Sequence, residues 1–141
     1  MTYRSGVCVI VYKNNKFLIF HRIQNWRGWE FLKGGIRKGE TERKCLLREL
    51  REETGNTKFK IIKTPYFFKY KWKKSYIKDN MKFTGMKQRL YLAKFIGNKK
   101  VKVDKTEHDK FKWATKREVL KLITHNNHKK AFKYVLKNYF K

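Results

Sequence analysis

Proline occurs once, cysteine twice and glycine eight times in 141 residues, and acidic side chains number only 11. The single proline, Pro65, leaves no proline-rich linker or extended recognition tract. Two cysteines with no CxxC or Cys/His spacing exclude a disulfide framework and a zinc cluster, so Cys8 and Cys45 read as reduced small hydrophobes. The longest uncharged apolar stretch, residues 5–12, falls far short of the roughly 18 residues that span a bilayer. No cleavable-signal pattern is present either, and the expectation is a soluble cytoplasmic protein without a membrane partner. Internal repeats and low-complexity segments are also missing.

Hydrophobic residues nevertheless make up 40% of the chain and aromatics 16%, enough to bury a core. The length fits one domain spanning residues 1–141. Lys and Arg total 38, for a formal net charge of +27, so the surface should attract polyanions such as nucleotides or RNA. Because 29 of those 38 are lysine, a general lysine bias in composition would give the same figure without selection for binding. Charge therefore indicates a partner class and leaves the reaction open.

Residues 6–12 form a β-rich apolar run, and Asn14-Asn15 separates them from residues 17–20, which predicts a hairpin or closely paired strands. Residues 33–39, with three glycines, read as a shaped loop. Thr41 is the predicted N-cap and Gly55 the predicted stop of a helix rich in strong helix formers. Leu46, Leu47 and Leu50 are expected on its buried face, with Glu49, Glu52 and Glu53 on another face at i, i+3 and i+4. Residues 59–73 predict two strand pieces or one irregular strand through Pro65, residues 75–84 a polar loop, and residues 87–95 a further strand. A short strand and loop are expected over 101–109 and a last extended piece over 111–114. Thr115 and Glu118 have capping-box form for a helix reaching about Thr124, and residues 129–140 predict another packed on the sheet.

Six of the 11 acids, Glu30, Glu40, Glu42, Glu49, Glu52 and Glu53, fall within 24 consecutive positions of this lysine-dominated chain. Carboxylates on adjacent helical turns repel one another, and a divalent cation relieves that repulsion. Hard oxygen donors favour Mg²⁺ or Mn²⁺ over zinc. A cation held there attracts phosphate oxygens, and the glycine-rich segment before the helix lets backbone groups approach them closely. The chemistry this implies is hydrolysis at phosphorus, with the ion polarising the phosphoryl group and activating water. A solvated helix with Glu–Arg pairs is the competing reading, but it explains neither the glycines nor the spacing.

The run Gly34-x5-Glu40-x7-Arg48-Glu49-Leu50-x-Glu52-Glu53-x-Gly55 resembles the Nudix box of hydrolases that cleave nucleoside-diphosphate-linked substrates. Its last position, normally a bulky aliphatic, is Asn56 here. The resemblance implies a Nudix α/β/α sandwich with a mixed β-sheet. It also implies metal binding by Glu49, Glu52 and Glu53, with the backbone carbonyl of Lys33 as a further ligand. Glu40 is then a supporting or water-mediated ligand, and Arg48 orients the carboxylates.

The resemblance extends to Tyr3-Arg4, Trp29-Glu-Phe-Leu-Lys-Gly-Gly-Ile36, Gly85-Met-Lys-Gln-Arg-Leu-Tyr91 and Glu107-His-Asp-Lys-Phe-Lys-Trp113. These look like the branch of RNA 5′-pyrophosphohydrolases and asymmetric diadenosine tetraphosphate hydrolases, although Met86 replaces the first glutamine of the usual Gly-Gln-x-Gln form. In that branch a distal glutamate reaches the metals as ligand or general base, and the matching residue is Glu107; nearby Asp109 is expected to be structural. Arg4, Arg22, Arg27, Lys87 and Arg89 are candidate phosphate contacts and Tyr76 a candidate base-stacking residue. Tyr66, Phe67, Phe68, Tyr70 and Trp72 read as sheet core or cover.

For the substrate, Lys33 stands where bacterial RNA enzymes usually carry glutamine, which favours dinucleoside polyphosphates such as diadenosine tetraphosphate. The +27 charge and interleaved aromatics favour the alternative, removal of pyrophosphate from 5′-triphosphorylated RNA. An 8-oxo-nucleotide sanitising hydrolase fits the wider similarity less well. A noncatalytic nucleic-acid-binding module on the same scaffold would not need to retain Glu49, Glu52 and Glu53.

Overall fold

A computed structural model of the chain describes residues 2–74, 77 and 82–140. Alternation builds the first strand, β1 (Tyr3–Lys13): Val7, Val9 and Val11 face one side of the sheet, and Cys8 and Ile10 the other. Asn14 and Asn15, both at positive φ (50° and 61°), make the two-residue turn into β2 (Lys16–Arg22). Next come β3 (Gly28–Glu30), β4 (Leu32–Gly35), helix α1 (Glu42–Thr54), β5 (Phe59–Lys71), β6 (Gly85–Phe95), β7 (His108–Ala114), α2 (Lys116–Leu122) and α3 (Asn126–Tyr139).

The seven strands form one mixed sheet along the path β3-β2-β1-β6-β5, with β4 on β1 and β7 on β2. β1 and β6 run parallel from Tyr3↔Gly85 to Tyr12↔Lys94, and the remaining pairings are antiparallel. α1 covers one face through Cys45, Leu46 and Leu50, while α2 and α3 cover the other through Val119, Ala131, Phe132 and Val135. This is the expected α/β/α sandwich. Cys8 and Cys45 are buried on opposite faces, and burial pushes both thiols up to about 12.

Four local expectations need correction. Lys33, Gly34 and Gly35 are extended, because antiparallel pairing with Cys8, Val7 and Gly6 overrides the turn preference of glycine. Leu47 is 40% exposed: the 100° step from Leu46 turns it off the buried stripe, and Cys45 packs there instead. Residues 101–107 form no strand; Asp104 accepts hydrogen bonds from the backbone and hydroxyl of Thr106, closing a turn, and β7 begins at His108. Phe67, expected as core or cover, is 42% exposed.

The other elements follow their signals. β5 is one strand with a register shift between Lys63 and Phe67, around Pro65. Thr115 and Glu118 form the capping box of α2. Among the described residues no helix is long and apolar enough to cross a membrane.

Candidate active site

α1 is fixed at both ends. Thr41 Oγ1 accepts the Lys44 N–H at 3.1 Å, and Gly55, in the left-handed region at φ 69°, donates its N–H to the Arg51 carbonyl. The resulting cylinder carries Glu49, Glu52 and Glu53 on successive turns. Glu49 lies directly against β4, where a Cβ on Gly34 would overlap its carboxylate. On the opposite face a Cβ on Gly35 would overlap the Arg4 guanidinium. The glycine pair thus seats an acid on one side of the sheet and a base on the other. Gln88, whose β6 partner on β1 is Gly6, is fully buried, and its amide has no hydrogen-bond partner among the described residues.

Two ionic clusters organise the acids. In the first, Arg48 grips Glu40 with both arms of its fork (2.7 and 2.9 Å), donates to Glu49 at 2.8 Å and to the Gly35 carbonyl at 3.1 Å, and stands 3.5 Å from Glu52. Glu40 also accepts the Arg37 N–H at 3.0 Å, and these bonds, Arg48's foremost, hold its carboxyl down at about 2. Burial pushes Glu49 up to about 7, with repulsion from Glu53 and Glu52 adding to it and Arg48 opposing.

The second cluster gathers distant segments. His108 lies 3.2 Å from Glu53 through Nδ1 and 2.8 Å from Glu30 through Nε2, and all three residues are buried. Both ring nitrogens face carboxylates, so both donate and the ring is an imidazolium. Burial opposes that charge, but the bonds to Glu30 and Glu53 outweigh it and raise His108 to about 9. Glu30 pays a desolvation cost that His108, Lys33 and Arg22 more than offset, leaving it at about 2. Arg22 bridges Glu30 (3.1 Å) and Glu107 (3.3 Å), and Lys33 Nζ stands 3.3 Å from Glu30. The Glu107 carbonyl accepts the Ile23 N–H at 2.8 Å, tying its loop to the end of β2. Burial raises Glu107, and contact with Glu53 raises it further.

Among the described residues no three Asp, Glu, His or Cys side chains already form a closed metal cage. The donor chemistry nevertheless suits a hard divalent cation: oxygens throughout, crowded so that Glu49 and Glu107 are both raised by neighbouring carboxylates.

Beyond Arg22 and Lys33 opens a cavity of about 650 Å³, lined by those two cations, Trp26, Tyr70, Trp72 and His125, among others. Lys33 Nζ lies 5.8 Å from the Trp26 ring centre and 5.7 Å from that of Tyr70. Trp26 packs edge-on against His125 at 4.4 Å. Burial and the nearby Lys33 lower His125 below the usual imidazole range.

The expected site residues are therefore only partly brought together. Glu40, Arg48, Glu49 and Glu52 meet in one cluster, and Arg22, Lys33, Glu53 and Glu107 in the other. Arg89 is bound to Glu42 at 2.8 Å and to the Thr64 carbonyl at 3.2 Å, and Lys87 is exposed above Phe67, both on the α1 side of β6. Arg27 is exposed between β2 and β3. Tyr76 lies outside the described residues. Asp109, expected to be structural, pairs with His21 at 2.8 Å across β2 and β7. Sequence reasoning missed His108, Trp26 and His125; Tyr70, read with Trp72 as sheet core or cover, does pack on the core, and both also line the cavity. The available signal was a tryptophan stranded in the polar stretch of residues 24–28.

The sequence profile of the NUDIX domain fits residues 2–135. The chain belongs to the Nudix family. It is 32% identical over 130 residues to a Nitratiruptor sp. protein named RNA pyrophosphohydrolase, an alignment covering 86% of this chain and 84% of that one. Among solved Nudix-like folds, the E. coli dihydroneopterin triphosphate pyrophosphohydrolase superposes with TM-score 0.80 at 16% identity, covering 98% of this chain and 99% of that one. A C. elegans Ap4A hydrolase superposes with TM-score 0.69 at 18% identity, covering 94% and 95%. At those identities the likeness is one of fold. As a Nudix hydrolase the chain acts on phosphoanhydride bonds.

Proposed function

We propose that this Nudix hydrolase acts as a single domain, residues 1–141, that removes pyrophosphate from the 5′ end of triphosphorylated RNA. The supporting observation is the 32% identity to an RNA pyrophosphohydrolase across 86% of the chain; the Ap4A hydrolase, at 18%, shares the fold alone. This reverses the preference for dinucleoside polyphosphates drawn from Lys33. In the structure Lys33 is engaged with Glu30 and the pocket aromatics, surroundings that suit either substrate equally.

Glu49, Glu52 and Glu53, with the Lys33 carbonyl and Glu107, would hold Mg²⁺ or Mn²⁺, which when bound neutralises phosphate charge and lowers the pKa of water. Arg48, itself anchored by Glu40, keeps Glu49 in place, and His108 orients Glu53 from behind. Arg22 and Lys33 stand between the carboxylates and the pocket, where they meet the polyphosphate, and Arg4 adds charge beside Gly35. The pocket, within the usual range of about 300–1,000 Å³ for small-ligand sites, takes the first nucleoside between Trp26 and Tyr70. Glu107, whose carboxyl burial and Glu53 hold above the ordinary carboxylate value, is the alternative proton acceptor for the attacking water where it is not itself a ligand. The anhydride P–O bond between the α- and β-phosphates breaks, pyrophosphate leaves, and the water oxygen ends either on it or on the 5′-monophosphate.

The test compares kcat/KM on 5′-triphosphorylated RNA and on diadenosine tetraphosphate with Mg²⁺ present. At least a tenfold preference for RNA is expected; the reverse preference would restore the dinucleotide reading. Hydrolysis in ¹⁸O water then identifies the phosphorus attacked.

A further inference from the structure

α1 packs on β1 and β4, and its first turn ends at β6, where Glu42 meets Arg89 and the Tyr91 hydroxyl. The sheet continues past that point toward β5. Tyr91 faces α1, so by strand alternation Arg89 and Lys87 point to the same side. Their partners on β5, Phe67↔Arg89 and Lys69↔Lys87, share it, as does Tyr3, opposite Gly85.

On this face Phe67 and Tyr3 each lie beneath a cation. Arg89 sits 3.8 Å and Lys87 4.9 Å from the Phe67 ring centre, and Lys69 sits 5.3 Å from that of Tyr3. Tyr3 lies against Gly85, where a Cβ would come within 3.0 Å of the ring. Lysine on an edge strand blocks unwanted strand pairing, and β5 is an edge. That accounts for Lys69 but not for Lys87 and Arg89 on an interior strand, nor for a phenylalanine left 42% exposed between them.

We propose that this face is a docking platform for single-stranded RNA downstream of the 5′ end, an inference that rests on the RNA reading above. Charge complementarity selects the occupant: exposed Lys69 and Lys87 meet backbone phosphates, while Phe67, backed by the Glu42-bound Arg89, and Tyr3 offer flat rings to bases. The platform is continuous with the nucleoside pocket through one strand. β5 presents Phe67 and Lys69 to this face and turns Tyr70 toward the pocket, whose lining continues through Lys71 and Trp72. A chain leaving the pocket over that rim arrives at Lys69.

The test uses the full chain and the double variant Phe67→Ala/Lys69→Ala, two exposed side chains outside the proposed catalytic cluster and pocket. Two readouts are taken: kcat/KM on a 5′-triphosphorylated dinucleotide and on a long unstructured RNA with the same end, and anisotropy of a 5′-hydroxyl RNA titrated at several salt concentrations. The double variant is expected to bind the 5′-hydroxyl RNA roughly tenfold more weakly, since losing one base–aromatic stack alone costs about that much. Its salt slope should be shallower by about 0.7, the share of one phosphate contact on a single strand. It should lose a similar factor on the long substrate and none on the dinucleotide.

Equal loss on both substrates, no loss in binding, or binding transferred to phosphatidylserine vesicles with RNA unaffected would overturn the platform. Wild-type protein that splits diadenosine tetraphosphate but neither RNA substrate would overturn the RNA reading instead, and the 5′-hydroxyl titration reads the platform independently of that. A change in melting temperature of the double variant would redirect the test to Lys69→Glu alone, with the same outcomes required.

Discussion

The two ionic clusters hold carboxylates of the same helix by opposite means. The Arg48 cluster draws its residues from one stretch, Gly35 to Glu52, runs from buried Arg48 and Glu49 out to exposed Glu52, and uses a forked guanidinium. The His108 cluster draws on Glu30, Glu53, His108, Arg22 and Glu107, from four separate segments, and its centre is buried. Charge pairs built within one stretch and open to solvent at one end position a side chain even when part of the cluster is desolvated. Charges assembled from a distance inside the protein stabilise only as a complete set, since a buried charge left alone is expensive. The first cluster should therefore tolerate change with partial loss, and the second should not.

The sharpest break is at Glu53, which belongs to the buried cluster and to the proposed metal site. Glu53→Gln should lower kcat by roughly 10³-fold at unchanged circular dichroism, and Glu52→Gln should also fall by orders of magnitude. Wild-type rates in either would remove the carboxylates from the mechanism. His108→Ala leaves Glu53 buried without its counter-charge and should cost about 3–5 kcal/mol in urea unfolding. A loss below 1 kcal/mol would make the buried cluster no different from a surface pair.

The pH response separates the clusters further. The pKa of His108 is about 9 folded against 6.5 in the unfolded chain. Its contribution is therefore fully present below about 6.5 and is lost as pH rises through 9. Glu30, at about 2 folded against 4.5 unfolded, contributes above 4.5 and loses that contribution as pH falls through 2. Urea midpoints should thus decline from pH 7 toward 10 in the wild type, and a His108→Gln variant should lack the part of that decline due to this residue.

In the local cluster, Arg48→Lys keeps the charge but not the fork. It should reduce kcat about tenfold with little change in stability. Smallest of all, Thr41→Ala removes the helix cap and should cost about 1 kcal/mol without touching either cluster.

The same contrast explains what could be read from the chain beforehand. Thr41, Gly55 and the i, i+3, i+4 spacing of Glu49, Glu52 and Glu53 are local signals, so α1 and its acidic face were legible from sequence, as was the Arg48 pairing through the family resemblance. The His108–Glu30 bond joins residues 78 positions apart, and no periodicity announces it. The pocket was equally hidden, because Trp26, Tyr70 and His125 come from three segments brought together by the sheet and α3. Extended backbone at Lys33-Gly34-Gly35 was masked by glycine's turn preference, and only pairing with β1 decided it. At residues 101–107 the β-branched valines suggested a strand, but among the described residues no strand pairs with them.

The two buried cysteines have a practical consequence. Thiols pushed up to about 12 on opposite faces of the sheet stay protonated and shielded from maleimides and mild oxidants. A single cysteine introduced on the exterior, for instance in place of Lys69, would accept a fluorophore or cross-linker without background from the native pair.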